Sequence, residues 1–204
     1  MSKQNKDVYK NFKELKDKEV GNYSIEYVNS DKLIIIIAPH GGKIEFNTTE
    51  IAKLIAGNSF NYYSFIGQKN NNNRHLHITS HIFDEPKALE LVGKSKIVVS
   101  IHGCKDKQEI KQGDIKIETN FGKHIFIGGL NEDLKNALEI ALSKAGLSIG
   151  REKFRGKEKD NICNRGSTNK GVQFELTASF RNDGKCCGKF IEIVSRALLI
   201  KVMD

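Results

Sequence analysis

Short apolar runs alternate with amphipathic segments along most of this chain. Two of the runs, "LIIIIA" at 33–38 and "KIVVSI" at 96–101, are almost continuous in isoleucine and valine. Such runs are typical of strands that are covered on both faces, in the middle of a sheet. Alternation and shorter apolar runs predict further strands at 23–28, 61–66, 75–79, 124–127 and 172–176.

The segments between these runs have helical patterns. "NTTEIAKLIAG" has Asn47 and Glu50 in capping-box spacing and ends in a glycine. Helices are predicted over 6–20, 47–57, 84–94, 131–146 and 188–202. Strands that alternate with helices of about 10 to 15 residues are typical of layered α/β folds. We expect a three-layer α/β/α fold with a mixed central sheet, in which residues 1–204 form a single domain.

Charge and composition narrow the range of partners. The chain has 204 residues and a net charge of +8, which favours an anionic partner such as nucleic acid or an acidic polymer, although a merely solvated basic surface is equally compatible. No apolar run reaches the ~20 residues that a membrane span requires. The charged N-terminus lacks the apolar centre of a secretory signal, so we expect synthesis in the cytoplasm. The four cysteines form no C-x-x-C pair and are expected to be reduced thiols.

Two histidines follow the two most apolar strands. His40 comes after 33–38 and His102 after 97–101, and each is followed directly by glycine. The carboxyl ends of parallel strands are where open α/β sheets bind ligands. Glu45 lies five residues after His40, across a turn that would return its carboxylate to the imidazole. Two histidines and one carboxylate are a common ligand set of hydrolytic zinc sites, but the spacing is not specific, and ordinary loop positions explain these residues as well.

A hydrolytic zinc site also needs a general base. In "GVQFELT" (171–177), Glu175 lies near the end of a predicted strand and is a candidate. A position on a solvated strand face is the alternative.

Several motifs together make the chemistry more specific. "APHGGKIE", "LHITSHIFDEP", "SIHG", "NRG" and "GVQFELT" occur in this order, and the set resembles the phage-associated poly-γ-glutamate hydrolase family. The N-terminal "VYKNFKELKDKEVGNYSIEY" also resembles the start of that family, so the resemblance covers almost the whole chain. It implies a fold similar to that of zinc carboxypeptidases.

The resemblance also implies roles for individual residues. It implies one Zn²⁺ per chain bound by His40, Glu45 and His102, with Glu175 as general base. It implies that His77 lies near the active site and that Arg165 contacts a substrate carboxylate or an oxyanion. Structural roles are the alternatives for both: a half-buried strand residue for His77, a solvated loop residue for Arg165. The substrate would be poly-γ-glutamate, and release at host lysis would bring a phage enzyme to it.

Two alternatives stay open from the sequence. A zinc amidohydrolase acting on cell-wall peptides or on N-acyl amino acids would have the same site, because those substrates also carry amides near carboxylates. A basic replication protein that binds nucleic acid would share the charge. Nucleic acid is not the expected partner, however, because the basic residues are scattered and few aromatic residues are interleaved with them.

Overall fold

The computed structural model describes residues 7–113 and 115–203. The strands are β1 (Tyr23–Val28), β2 (Ile34–Gly42), β3 (Asn61–Gly67), β4 (Ile97–Cys104), β5 (Lys107–Gln112), β6 (Ile115–Asn120), β7 (Ile125–Gly128), β8 (Ile149–Gly150) and β9 (Val172–Thr177). The α-helices are α1 (Phe12–Lys18), α2 (Thr48–Ala56), α3 (Pro86–Lys94), α4 (Glu132–Lys144), α5 (Ala178–Arg181) and α6 (Gly184–Met203).

Seven of these strands form one mixed sheet, in the order β1-β3-β2-β4-β9-β7-β8. The four neighbours β3, β2, β4 and β9 are parallel, whereas β1 and β7 pair antiparallel with β3 and β9. The apolar runs predicted to be central, β2 and β4, do lie in the middle of the sheet. The carboxyl ends of β2, β4 and β9 therefore meet at one edge.

Helices cover both faces of this sheet. Ile34 and Ile36 of β2 pack on one side with apolar residues of α2, α4 and α6. Ile35 and Ile37 point to the other side and pack with apolar residues of α1 and α3. The predicted three-layer arrangement with a mixed sheet is thus confirmed. None of the helices within the described ranges has the length and apolar character needed to cross a bilayer.

Several local predictions were wrong. Residues 75–79 are not a strand, because Asn73–Leu76 form a 3-10 turn and Asn73 makes side-chain hydrogen bonds to both backbone groups of Lys69. The first helix is shorter than 6–20: it begins at Phe12, Val8 is exposed, and residue 6 lies outside the described residues.

Other errors concern a cap and three short strands. Asn47 has a left-handed φ of 68° and makes no side-chain cap bond, so the predicted capping box is absent. The hairpin of β5 and β6 and the short β8 were not predicted; β5 and β6 form a separate two-stranded sheet.

Candidate active site

The turn after β2 brings Glu45 back to His40. The β2–β3 register shifts between Ala38 and Gly41, a bulge-like irregularity of the kind that re-aims side chains next to active sites. The Glu45 amide donates to the His40 carbonyl at 3.0 Å and closes the turn. The Glu45 carboxylate lies 3.3 Å from His40 Nδ1. Gly42 is required here, because it has a φ of +61° and a Cβ would lie 2.5 Å from the Gly67 carbonyl.

His102 joins this pair from the neighbouring strand. Its Nδ1 lies 3.1 Å from His40 Nδ1 and 3.8 Å from the Glu45 carboxylate. The amide of Gly103 donates to Glu45 Oε2 at 2.8 Å and fixes the carboxylate against β4. Both imidazoles are almost fully buried, at 2% and 1% exposed. Three potential ligand atoms, from His40, Glu45 and His102, therefore face one another in a protected position.

The hydrogen bonds of the two outer ring nitrogens allow the facing Nδ1 atoms to be free of protons. His40 Nε2 donates to the Ile78 carbonyl at 2.7 Å, so neutral His40 carries its lone pair on Nδ1. His102 Nε2 lies 2.7 Å from Ser100 Oγ, which lets it donate there and keep Nδ1 unprotonated. Two lone pairs 3.1 Å apart repel each other unless a cation or a proton lies between them. Hydrogen bonds that hold the outer nitrogen in this way are typical of metal-binding histidines.

His77 lies beside these residues but in a different geometry. Its Nδ1 bonds the Asp7 carboxylate at 2.7 Å, and its Nε2 lies 3.8 Å from Glu45. Asp7 also accepts from the Thr79 amide at 2.6 Å. Burial and the neighbouring His40 lower the pKa of His77 to about 4, which keeps it neutral. Nothing in the sequence indicated Asp7 as its partner.

The donor set fits a zinc ion. Two ligand atoms bound at 2.0–2.1 Å to a tetrahedral zinc ion are separated by ~3.3 Å. The two Nδ1 atoms are 3.1 Å apart, His40 Nδ1 lies 3.3 Å from Glu45 Oε1, and His102 Nδ1 lies 3.8 Å from the other carboxylate oxygen, Oε2. His40, Glu45 and His77 form a second candidate set, with one potential ligand atom from each within 4.8 Å of the others. The rings of His40 and His77 are stacked at 3.9 Å and 31°, so their in-plane lone pairs converge poorly on a single ion.

Glu175 lies next to this group in the sheet. It pairs with His102 in the β4–β9 register, so both side chains project from the same face. Burial and the negative charge of Glu45 raise the pKa of Glu175 well above its usual value. Burial opposes ionisation of Glu45 too, but His40 and His102 outweigh it and lower the Glu45 pKa well below normal. One carboxyl group is thus held ionised beside the histidines, and the other favours the protonated form.

The arginines are arranged differently from the prediction. Arg165 does not line the cavity around the histidines; its guanidinium donates to the backbone carbonyls of Asp160, Phe83 and His81 at 2.7–3.0 Å. Arg74 and Arg181 do line that cavity, and sequence reasoning missed both. Arg74 lies two residues before the start of the "LHITS" motif, a signal that could have been used.

The site opens into a cavity of about 980 Å³. It is lined by His40, Glu45, His77, His102 and Glu175 together with the cations Lys43, Arg74, Lys105 and Arg181. A second cavity of about 820 Å³ adjoins it, and Thr79, Ser80, Phe154 and Glu175 line both. Glu175 therefore lies at the boundary between the two cavities.

Known proteins share this sequence and fold. The chain is 33% identical over 182 residues to the SPbeta prophage-derived UPF0714 protein YoqZ of Bacillus subtilis (strain 168) and 32% identical over 180 residues to the UPF0714 protein YndL of that strain. These matches cover 87% and 86% of this chain. The chain spans only 61% of YoqZ and 66% of YndL.

Two solved structures match almost throughout. A bacteriophage poly-γ-glutamate hydrolase has a TM-score of 0.84 at 29% identity, covering 96% of this chain and 98% of the other. A zinc-free apo form of YndL has a TM-score of 0.84 at 28% identity, and the match covers 96% of this chain and 99% of the YndL chain. These matches confirm the zinc carboxypeptidase-like fold class that the resemblance to the phage-associated poly-γ-glutamate hydrolase family implied. The family model described as poly-gamma-glutamate hydrolase matches residues 9–184. The chain therefore belongs to the poly-γ-glutamate hydrolase family.

Proposed function

We propose that this protein is a zinc-dependent hydrolase that cleaves γ-glutamyl amide bonds of poly-γ-glutamate. His40, Glu45 and His102 would hold the ion, and Glu175 would act as general base. The observation that carries the proposal is the convergence of two histidine Nδ1 atoms and one carboxylate within 3.8 Å, next to a second carboxyl group with a raised pKa. The family membership supplies the substrate class.

The residues of the site divide the chemistry between them. Zinc, when bound, polarises an amide carbonyl and lowers the pKa of water. Glu175 takes the proton from the attacking water and returns it to the leaving amine, a transfer that suits a carboxyl group whose pKa is raised by burial and by the charge of Glu45. His77, held by Asp7 at 2.7 Å, faces Glu45 and lies in the cavity, where it is placed to contact substrate.

A thiol mechanism has no support in this site. Cys104 lines the cavity, but burial and the charge of Glu175 raise the pKa of its thiol. A cysteine nucleophile requires the opposite shift.

Cations of the cavity suit a polyanionic substrate. Each unit of poly-γ-glutamate keeps a free α-carboxylate. Arg74 is exposed at the cavity wall, and within the described part of the chain its guanidinium makes no hydrogen bond or ion pair. A guanidinium can bind a carboxylate through two parallel hydrogen bonds. We therefore assign carboxylate binding to Arg74 instead of Arg165, whose donors are occupied by backbone carbonyls.

The two adjoining cavities suit a chain-like substrate. Because cavities extend on both sides of Glu175, a polymer can occupy both while one internal bond lies at the site. Lys111, Lys116 and Lys153 line the second cavity and would meet further carboxylates. The prophage origin of the relative YoqZ supports release at host lysis as the route to such a polymer.

The experiment is a cleavage assay on purified poly-γ-glutamate. Polymer length is followed by size-exclusion chromatography with the zinc-loaded protein, with the protein after chelation, and after zinc is added back. The proposal is supported if the protein shortens the polymer, if chelation abolishes this activity, and if added zinc restores it. Intact polymer with cleavage of cell-wall peptides or N-acyl amino acids would favour a different amidohydrolase. Salt-sensitive binding of DNA with no hydrolysis and no bound zinc would favour a nucleic-acid-binding protein.

A further inference from the structure

Arg181 connects the three segments that carry the site. Its Nε donates to the Leu176 carbonyl at 3.0 Å and its Nη2 to the Cys104 carbonyl at 3.3 Å. Its Nη1 donates to the Phe46 carbonyl. One guanidinium thus bonds three backbone segments that are distant in sequence.

The bonded carbonyls lie next to the functional residues. Phe46 follows Glu45, and Leu176 follows Glu175. Cys104 lies two residues after His102, on the same strand. A shift of any of these segments would change the separations of 3.1–3.8 Å between the potential ligand atoms.

The packing of Arg181 is close on the side of β4. A Cβ at Gly103 would lie 2.6 Å from the Arg181 Cζ, so only a glycine lets the guanidinium approach this strand. The Arg181 carbonyl also accepts from Asn47 Nδ2 at 3.0 Å, which adds a fourth link, to the residue that precedes α2. Arg181 is thus held through its guanidinium and also through its main-chain carbonyl.

We propose that Arg181 is a positioning residue that sets the geometry of the zinc ligands and of Glu175 by fixing their three backbone segments relative to one another. The planar guanidinium suits this role because its donors point in fixed, divergent directions. A lysine has its donors on one nitrogen and cannot reach three divergent carbonyls. This inference rests on the proposed function, and zinc affinity and polymer cleavage are measured separately so that each can fail without the other.

The test compares Arg181→Met and Arg181→Lys with a matched control, Arg151→Met. Arg151 also makes three hydrogen bonds, to Glu139, Glu132 and Asn136, but these hold the surface of α4 and it does not line the site cavity. Three quantities are measured for each variant. The zinc dissociation constant is obtained by competition with a chromophoric chelator, and kcat and KM are obtained with poly-γ-glutamate as substrate. The midpoint of thermal unfolding is measured without metal.

For Arg181→Met we expect zinc binding weakened by about 10- to 100-fold, the range found when groups that orient metal ligands are removed. We expect kcat to fall at least tenfold while KM changes less than threefold, because Lys43, Arg74 and Lys105 remain in the cavity and the Arg181 guanidinium is occupied by backbone carbonyls. The zinc affinity and the kcat of Arg181→Lys should lie between those of Arg181→Met and those of the wild type. Arg151→Met should lower the unfolding midpoint yet keep zinc affinity and kcat within twofold of wild type.

Zinc affinity and kcat of Arg181→Met within threefold of wild type would overturn the proposal. Equal losses of zinc affinity and kcat in Arg151→Met would also overturn it, because the effect would then come from general destabilisation. If Arg181→Met does not fold, Arg181→Lys decides: zinc affinity within twofold of wild type refutes the role, and a loss of threefold or more supports it. A wild type that binds zinc but leaves the polymer intact would contradict the proposed function alone, since the zinc comparison would still be made.

Discussion

Replacing Glu175 with glutamine removes the proposed base with little change in shape. The residues that line the 980 Å³ cavity include only two carboxylates, Glu45 and Glu175. Glu45 accepts from the Gly103 amide and faces His40 at 3.3 Å, so it is not free to accept a proton from water. No described carboxylate is therefore placed to replace Glu175.

The expected loss follows from what a general base contributes. Proton transfer by a positioned side chain accounts for about 10²- to 10⁴-fold in rate. At about 1.4 kcal/mol per tenfold, that is ~3–5 kcal/mol of activation free energy. Glu175→Gln should lower kcat on poly-γ-glutamate by this factor, with one zinc still bound per chain, because Glu175 is not among the proposed ligands.

The assay combines polymer length with metal content. Cleavage is followed by size-exclusion chromatography and by new amino groups, and zinc is measured by atomic emission after desalting. Glu192→Gln, on the exposed side of α6, makes the same chemical change away from the site and should retain wild-type turnover. Turnover of Glu175→Gln within tenfold of wild type would remove Glu175 from the mechanism. Loss of zinc together with activity would instead make Glu175 a ligand or a structural support of one.

Further predictions concern stability and binding. Because burial and Glu45 raise the folded-state pKa of Glu175 above its unfolded value, its contribution to stability is present at low pH and is lost as pH rises through the raised pKa. Metal-free Glu175→Gln should therefore unfold at a higher temperature than the metal-free wild type at pH 8, and this difference should vanish near pH 4. Scanning calorimetry at both pH values measures the difference, and the opposite trend would contradict the prediction. Arg74→Gln should raise KM for the polymer by about tenfold, since a charge-assisted hydrogen bond contributes about 1.5–3 kcal/mol. The control Arg196→Gln, on α6, should leave KM unchanged. Equal KM values for the two variants would exclude Arg74 as a carboxylate contact. Gly103→Ala should lower the unfolding free energy by about 1–3 kcal/mol in chemical denaturation, the usual cost of overpacking. The reason is that its Cβ would displace the Arg181 guanidinium. Unchanged stability would show that the guanidinium can move aside freely.

Much of the fold could be predicted because apolar pattern and burial coincide. The runs that became β2 and β4 are apolar on both faces, and the structure buries them between two helical layers. The hairpin of β5 and β6 could not be predicted in this way: its side chains are mostly exposed, so no buried face leaves an alternating pattern.

The candidate site was partly predictable for a related reason. His40 and His102 lie near the carboxyl ends of the adjacent parallel strands β2 and β4, and that relation alone places them at one edge of the sheet. The roles assigned to them remain predictions.

The contacts that complete the site depend on tertiary packing. Asp7 reaches His77 across 70 positions of sequence, and Arg181 reaches Phe46 across 135. No local spacing encodes such contacts. The prediction for Arg165 rested on its motif alone and could not show that three backbone carbonyls occupy its guanidinium.

The most direct test is the position of the metal itself. Crystals grown with zinc, measured on both sides of the zinc absorption edge, locate the ion by its anomalous signal. We predict one ion at about 2.0–2.1 Å from the Nδ1 atoms of His40 and His102, with Glu45 completing the protein ligands. An ion bound to His77 in place of His102, or no anomalous peak at saturating zinc, would contradict the account.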